Sequence, residues 1–395
     1  MITSEQKRSL LKRMVELLEL PDSAYQKAKD RYEDIGEFLS RESSACHDNE
    51  PHIFPQGSFR LGTAIRPLDE REEYDLDLAC KLTQGISHRT HTQADLKELI
   101  GGEIESYREA RSIKVPVKEK HRCWRLEYAD HLSFHIDIVP CIPEDTSRQR
   151  LLTETMVAAG EDRALSENVT HHAVSITDDR HPHYKQLSDD WNISNPEGYA
   201  KWFESRMQPE SLILMEKAQI DDLPIYRRKS PLQRSIQLLK RHRDQMFKED
   251  PDVKPISVII TTIAAKAYSG QKALDITLQE ILDELKRFAD SGSTVVPNPV
   301  NPEENFADRW TMPQYQHLRL RENFAAWATQ VHIDFHTLLS SADPNFMAEH
   351  ARQKFTIRTT PGDLGSLLGL SVAPAISVGK THEIPDNAAK PWRLG

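Results

Sequence analysis

Three aspartates interrupt two short apolar runs, and this feature constrains the fold more than any other. YDLDL places Asp75 and Asp77 two residues apart, and HIDIVP places Asp137 between two isoleucines. Both runs alternate as strands do, so the carboxylates of Asp75 and Asp77 project from one face of the first strand. A carboxylate is costly to bury without a partner, and like charges this close repel each other. The pattern therefore predicts that the two strands share one ionic partner.

Magnesium is the cation that this donor set favours, because it takes few carboxylates and completes its shell with water and substrate phosphates. Two such ions about 4 Å apart can stabilise the attacking and the leaving oxygen of a displacement. We therefore predict two Mg²⁺ ions at Asp75, Asp77 and Asp137, with Mn²⁺ as a substitute. The alternative is that the three residues are ordinary acids of edge strands and bind no metal. The spacing alone favours both interpretations equally, because DxD is common.

A glycine-containing stretch, QGSFRLGT, lies upstream of the first strand. Gly57 allows the backbone to approach a ligand closely, and the Ser58 hydroxyl with neighbouring N–H groups can hold a terminal phosphate. Gly-Ser after a strand is also typical of ordinary turns. Its position about 17 residues before the DxD pair, with a third aspartate on a later strand, favours the phosphate-binding interpretation.

Taken together, these segments resemble the CD-NTases, the cGAS/DncV-like nucleotidyltransferases of bacterial anti-phage (CBASS) defence. The resemblance is carried by FPQGSFRLGTAIRP, YDLDLACKL, HIDIVP, DDWNISNPEGYAKWF, LLKRHRD with KPISVIITTIAA, and PNPVNPEENFADRW, spread over residues 54–310. It implies an α+β fold, with a polymerase-beta-like nucleotidyltransferase core, a helical second lobe and a nucleotide pocket between them. It also implies that Asp75 and Asp77 bind both metal ions and that Asp137 completes one metal site. Beside that metal, Asp137 would help to orient and deprotonate the attacking hydroxyl.

The resemblance further implies that residues of both lobes hold the donor triphosphate: Gln56, Gly57, Ser58, Lys240 and Ser257. The sequence gives independent grounds for two of them. Lys240 lies four residues after Ile236, near the buried edge of its helix. Ser257 follows Pro255 at a helix start, where free N–H groups favour anions. A surface lysine and a plain helix cap remain the alternatives.

Three further residues have open roles. Asp308 would contact a base or ribose, or order its own loop. Arg122 or Arg125 would reach an acceptor nucleotide, or contribute simple charge to a strand face.

The hydrophobic pattern, together with what the resemblance implies, divides the chain into four segments. Residues 1–44 form helices that brace both lobes, and 45–160 form the nucleotidyltransferase core of strands interleaved with helices. Residues 161–380 form a mainly helical lobe that closes the nucleotide pocket, and 381–395 form a flexible tail. The proline-rich VVPNPVNPEENFADRW is predicted to be an extended loop.

Composition limits the partners and the location of the chain. The net charge is -10, whereas proteins that hold long nucleic acids usually carry a basic surface. Positive charge is concentrated in one short stretch, which suits a small polyphosphate, with an ordinary solvated helix face as the alternative. The stretch contains Arg227, Arg228, Lys229, Arg234, Lys240, Arg241 and Arg243. The resemblance implies that the polyphosphate is a nucleoside triphosphate, ATP with or without GTP. The sequence has no run of about 18 apolar residues, no secretory signal and four widely separated cysteines. These features favour the cytoplasm and no membrane contact.

The resemblance implies that a ribose hydroxyl attacks an α-phosphate, that pyrophosphate leaves, and that repetition closes a ring. The cyclic product would be a second messenger that diffuses to a downstream effector. The tail and the proline-rich loop are most similar to the group that makes cyclic trinucleotides from adenine-rich substrates, and a cyclic dinucleotide is the main alternative. Two other functions stay open: a linear nucleotidyltransferase acting on RNA, protein or a small molecule, and a nucleotide-binding sensor without turnover.

The chain ends in Gly395, after a segment that resembles a ubiquitin-like terminus. Some members of the family are conjugated through a C-terminal glycine by an E1/E2-like partner, and the resemblance predicts the same here. An arbitrary chain end is the equally weighted alternative.

Overall fold

The computed structural model of the chain describes residues 2–69, 74–128, 134–207 and 229–372. Its strands are β1 (Pro51–Gln56), β2 (Tyr74–Leu82), β3 (Lys118–Glu119), β4 (Trp124–Tyr128), β5 (Phe134–Pro143), β6 (Val174–Ile176), β7 (Asn192–Ser194), β8 (Pro297–Asn298) and β9 (Asn301–Asn305). Its α-helices are α1 (Ser4–Leu18), α2 (Asp22–Ser40), α3 (Gly57–Arg60), α4 (Gln93–Ala110), α5 (Thr146–Ala158), α6 (Arg163–Thr170), α7 (Pro196–Met207), α8 (Pro231–Met246), α9 (Ser257–Ala267), α10 (Leu274–Ser291), α11 (Leu320–Ser340), α12 (Pro344–Phe355) and α13 (Pro361–Leu368). This combination of a mixed sheet with many helices matches the predicted α+β class.

The larger sheet has the strand order β1-β2-β5-β4-β3, and β6 and β7 extend it from β5. Strands β2 and β5 run parallel, and the other pairs described in this sheet are antiparallel. The alternation that predicts these strands also sets their faces, because the apolar side chains of β2 and β5 are fully buried on one side. The opposite side of the two strands carries the aspartates.

One apolar core lies between this sheet and helices α2 and α4. Helix α4 begins with a capping box at Thr92, and Leu96, Ile100 and Ile104 follow at intervals of four residues. That spacing places the three side chains on one helix face, which packs on the buried face of β2 and β5. Each fully buried side chain of this size contributes roughly 1.5–3 kcal/mol, so the sheet face is held firmly in place.

A second apolar core joins α1 to helices α5–α13. Leu10, Leu11 and Met14 lie on one face of α1 and are fully buried in it. Helix α2 belongs to the other core, so the segment 1–44 contributes one long helix to each half of the molecule. None of the helices in the described residues is long and apolar enough to cross a membrane.

The structure differs from the sequence-based expectations in two places. The sheet continues past residue 160, because β6 pairs with β5 and β7 pairs with β6. The proline-rich segment is not wholly an extended loop, because β8 and β9 form a short hairpin within it. Asn298 and Asn305 accept hydrogen bonds from the main-chain N–H groups of Val300 and Val296, which fixes the turn despite the prolines. The tail 381–395 lies outside the described residues.

Candidate active site

The register of the sheet brings the three aspartates together. Asp77 on β2 lies directly opposite Asp137 on β5, and Asp75 is two residues away on the same face of β2. One carboxylate oxygen from each of the three residues can be chosen so that all lie within 4.8 Å of one another. This distance allows one cation, or a close pair, to contact all three side chains.

Burial, together with the charges of Asp75 and Asp137, raises the pKa of Asp77 to about 7, although His135 and Arg125 oppose the shift. A buried carboxylate beside two like charges is stabilised in its ionised form when a cation sits between them. The donor set of three convergent carboxylates therefore fits a divalent metal ion.

Two basic side chains contact the aspartates from neighbouring positions. Arg125 lies opposite Asp137 on β4, and its Nε and Nη2 donate to the two Asp137 carboxylate oxygens at 2.7 and 2.6 Å. This bidentate pair raises the pKa of Arg125. His135 Nε2 lies 2.9 Å from Asp75 Oδ1. Sequence reasoning missed His135, although its position two residues before Asp137 places both on one strand face.

The turn at residues 56–58, which the sequence predicts to bind phosphate and which we call the phosphate loop, packs directly against Asp77. Gly57 has a φ of +64°, and a Cβ atom at this position would lie 2.2 Å from Asp77 Oδ2. A residue with a side chain would therefore be strained and would also displace the carboxylate. Gln56 pairs with Asp77 across β1 and β2, and Ser58 follows Gly57 in the first turn of α3. The structure thus places the three predicted loop residues beside the aspartates.

Lys240 of α8 approaches the same region from the helical half. It is 7% exposed, and its Nζ donates to Thr63 O at 3.0 Å. Burial and the charge of Arg243 lower the pKa of Lys240 to about 8, against the opposing charges of Asp244, Asp75 and Asp77. The negative charges of Asp75 and Asp77 thus favour the charged form of Lys240.

Ser257 is the first residue of α9, and its hydroxyl accepts a hydrogen bond from Arg243 Nη1 at 2.7 Å. Arg243 also donates to Pro255 O at 3.2 Å. It therefore ties the start of α9 to α8, the helix that carries Lys240. Sequence reasoning grouped Arg243 with a basic stretch and did not single it out.

Asp308 begins the short 3₁₀ helix that follows β9, and it is exposed. Its charge raises the pKa of Glu304, which burial raises most and which Arg122 lowers. Asp308 therefore belongs to a charged group with Glu304 and Arg122 and is not one of the clustered aspartates. Gly395 lies outside the described residues, so its conjugation stays a prediction.

A small recess of about 210 Å³ adjoins the aspartates on the same face of the sheet. Ala79 and Val139 follow Asp77 and Asp137 by two residues and contribute to its apolar lining. The residues that line it are Gln56, Ala79, Arg122, Val139, Cys141, Val174, Ile176, Ser194 and Pro196. The lining is largely apolar, and its one guanidinium, that of Arg122, donates from Nε to Asp178 Oδ2 at 2.7 Å.

Comparison with known proteins finds relatives that are named as cyclic nucleotide synthases. Residues 51–141 match the family model of the nucleotidyltransferase domain of DncV-like cyclic GMP-AMP synthases. The chain is 30% identical over 352 residues to a c-di-GMP synthase of Roseivirga ehrenbergii, covering 86% of this chain and 82% of that protein. It is 25% identical over 322 residues to the cyclic dinucleotide synthase CdnG of Bradyrhizobium diazoefficiens, covering 76% and 69%.

Solved structures show the same fold. The structure of Bradyrhizobium diazoefficiens CdnG in complex with GTP superposes with a TM-score of 0.62 at 20% identity, covering 92% of this chain and 98% of that one. The structure of Vibrio cholerae DncV with ATP, GTP and 5MTHFGLU2 superposes with a TM-score of 0.53 at 14% identity, covering 94% and 95%.

Proposed function

Because the chain belongs to the CD-NTase family of nucleotidyltransferases, we propose that it joins nucleoside triphosphates into a cyclic dinucleotide that contains guanine. The three carboxylates that converge within 4.8 Å beside Gly57 carry this proposal. The relatives reported above are named for cyclic dinucleotides, and the relative that is 30% identical is named for c-di-GMP. These names favour a cyclic dinucleotide. The cyclic trinucleotide that the sequence predicts stays an untested prediction.

Asp75, Asp77 and Asp137 would hold two Mg²⁺ ions, with Mn²⁺ as a substitute. When bound, the ions would neutralise triphosphate charge and stabilise the attacking and leaving oxygens. The chain's own part is to hold the carboxylates at fixed separations on two paired strands, while His135 and Arg125 oppose the rise in the pKa of Asp77. Asp137 would also help to orient the attacking hydroxyl and accept its proton.

Gln56, Gly57 and Ser58 would bind the donor triphosphate through the loop, and Lys240 and Ser257 would clamp it from the helical half. A ribose hydroxyl of one nucleotide then attacks the α-phosphorus of the other. The bond to the β-phosphate breaks, and pyrophosphate leaves. A second, intramolecular transfer of the same kind closes the ring and releases a second pyrophosphate.

The recess beside Ala79 and Val139 is the candidate for a nucleobase subsite. Its apolar lining would contact the ring. A guanidinium is the group that most often donates to guanine O6 and N7, and Arg122 uses its Nε for Asp178, which leaves its Nη groups for a base. Asp308 would contact a base or ribose from the hairpin side. Arg122 and Asp308 both influence Glu304 electrostatically, which supports placing both near one bound nucleotide.

The test is incubation of the purified chain with labelled GTP and ATP, singly and together, in the presence of Mg²⁺ or Mn²⁺. Phosphatase treatment and mass spectrometry then identify the products. We expect a phosphatase-resistant cyclic dinucleotide that disappears in the double variant Asp75→Ala/Asp77→Ala and persists in Asp48→Ala, a change at an exposed aspartate in the 3₁₀ helix His47–Asn49.

The other functions give different outcomes in the same assay. Only phosphatase-sensitive label, or transfer of label to added RNA or protein, would indicate a linear nucleotidyltransferase. Nucleotide binding without any product would indicate a sensor. A resistant product with the mass of a cyclic trinucleotide would reject the dinucleotide and restore the sequence-based prediction.

A further inference from the structure

Helix α8 presents a row of buried polar side chains on one face. Gln233 and Gln237 lie four residues apart, and Lys240 and Arg241 continue the row, so all four point in nearly the same direction. None of them is more than 7% exposed. Burying an amide is costly unless it forms a hydrogen bond, so the row requires partners.

The partners are main-chain carbonyls of residues 61–67, which we call the strap. The bonds join Gln233 Nε2 to Leu61 O at 2.9 Å, Gln237 Nε2 to Ala64 O at 2.8 Å, Lys240 Nζ to Thr63 O at 3.0 Å, and Arg241 Nη2 to Arg66 O at 2.5 Å. The first and the last donor of the row thus bond to opposite ends of the strap, and Gln237 and Lys240 bond to its middle. This row fixes the strap along the helix without any strand pairing.

The strap is in turn bonded to the phosphate loop. Leu61 N donates to Gly57 O at 3.1 Å, and Thr63 N donates to Ser58 O at 2.9 Å. Any shift of the strap therefore moves the turn that holds Gly57 against Asp77. The position of the phosphate loop consequently depends on the side chains of α8.

Lys240 differs from the glutamines in this row. In the proposed function its ammonium binds the triphosphate, and an ammonium that turns toward a phosphate weakens or gives up its bond to Thr63 O. Amide groups carry no charge and compete far less for the anion. Gln233 and Gln237 can therefore keep the strap in place while Lys240 changes partner.

The burial of Gln237 supports a specific need for its amide. Its Nε2 bonds to Ala64 O, but its Oε1 is buried with no hydrogen-bond partner within the part of the chain that the structure describes. An unpartnered buried carbonyl oxygen is unfavourable, and an apolar residue would pack at this position without that cost. The bond from Nε2 to the strap is what distinguishes glutamine from an apolar residue here.

We propose that Gln233 and Gln237 are positioning residues that hold the phosphate loop in place for nucleotide binding. This inference rests on the proposed function, because it assigns the loop to the triphosphate. The glutamines act through the strap and do not touch the substrate themselves.

The test compares Gln237→Met with Gln245→Met in the full-length chain. Methionine keeps the length of the side chain and removes the donor. Gln245 is on the same helix, but its Oε1 accepts a hydrogen bond from Thr356 Oγ1, away from the strap. The readouts are hydrogen exchange of the Leu61 and Thr63 amides without nucleotide, and KM and kcat for the triphosphate.

For Gln237→Met we expect both amides to exchange about tenfold faster, because the strap opens more often when one of its bonds is lost. We expect KM to rise about tenfold and kcat to stay within about twofold, since the carboxylates are not altered. Gln245→Met should match the wild type in every readout. Gln233→Met should behave like Gln237→Met, and it takes over the test if Gln237→Met does not fold.

Two results would overturn the inference. Unchanged exchange in Gln237→Met would show that the bond does not hold the strap. Faster exchange with unchanged KM would show that the bond serves stability only. Exchange needs no turnover, so the two proposals can fail separately. If the wild type makes no cyclic product but Gln237→Met still exchanges faster than the wild type, the proposed function is rejected. In that case the side chains of α8 would still hold the loop in place, but the loop would not serve triphosphate binding.

Discussion

The change Gly57→Ala tests whether the close approach of the phosphate loop to Asp77 is required for activity. The added Cβ would lie 2.2 Å from Asp77 Oδ2 and 3.1 Å from Asp77 Cγ. The first distance is about 1 Å shorter than an ordinary non-bonded contact, so the carboxylate or the loop must move by about that amount. The φ of +64° adds roughly 1–2 kcal/mol of backbone strain for any residue with a side chain.

The matched control is Gly160→Ala. Gly160 has a φ of +95°, and its added Cβ would meet no atom of the described residues within 4 Å. This variant therefore carries backbone strain without a clash at the carboxylates. We expect both variants to lower Tm, by about 2–4 °C for each kcal/mol in a unit of 150–250 residues.

Activity should separate the two variants. A displacement of about 1 Å in a group that positions substrate or metal can reduce the rate about 100-fold, so we expect that loss in kcat/KM for Gly57→Ala. Gly160→Ala should stay within about twofold of the wild type. Product formation from triphosphate and Mg²⁺ measures activity, and scanning fluorimetry measures Tm. The reasoning fails if Gly57→Ala keeps activity within twofold, or if Gly160→Ala loses as much.

Two further predictions concern the charges around the carboxylates. Burial and Arg243 lower the pKa of Lys240 to about 8, so this lysine is charged below that pH and neutral above it. We therefore expect kcat/KM for the triphosphate to fall as the pH rises through about 8. The variant Lys240→Arg should flatten this fall, because a guanidinium stays protonated. A fall that persists unchanged in Lys240→Arg would exclude the lysine as its cause. Arg125→Gln removes two hydrogen bonds to Asp137 and the charge that neutralises it, so we expect Mg²⁺ to bind about tenfold more tightly in calorimetric titration; equal affinity would show that the pair does not compete with the metal.

The strands that carry the aspartates could be predicted from the sequence, but the pairing of these two strands in the sheet could not be derived from the residues alone. Alternation in YDLDL and HIDIVP indicates which face each side chain occupies. It does not indicate that β2 and β5 are neighbours, because pairing and register depend on contacts far apart in the chain. The three-residue strands β6 and β7 were missed for a different reason, since so short a run has no recognisable period.

The glutamines of α8 show a second limit of the sequence. In PLQRSIQLLKRHRD, polar residues at intervals of four ordinarily indicate the solvent-facing side of a helix. Here that side is covered by the strap, whose carbonyls provide the hydrogen bonds that water would otherwise supply. A helix face covered by main chain and a helix face covered by water require the same polar residues. Only the tertiary structure distinguishes the two cases.

The distribution of charge explains why neither the aspartates nor the loop alone identified the site. Asp75, Asp77 and Asp137 form a negative cluster in which burial and like charges raise the pKa of Asp77. Lys240 is buried beside Arg243, and burial with this like charge lowers the pKa of Lys240, although Asp244 pairs with Arg243 and offsets part of the effect. A cation by itself relieves only the first imbalance, and a triphosphate by itself relieves only the second. A metal-bound nucleoside triphosphate carries both the cation and the phosphate charge, so it would relieve both imbalances. The spacing of the carboxylates therefore indicates this ligand only in combination with the phosphate loop and Lys240.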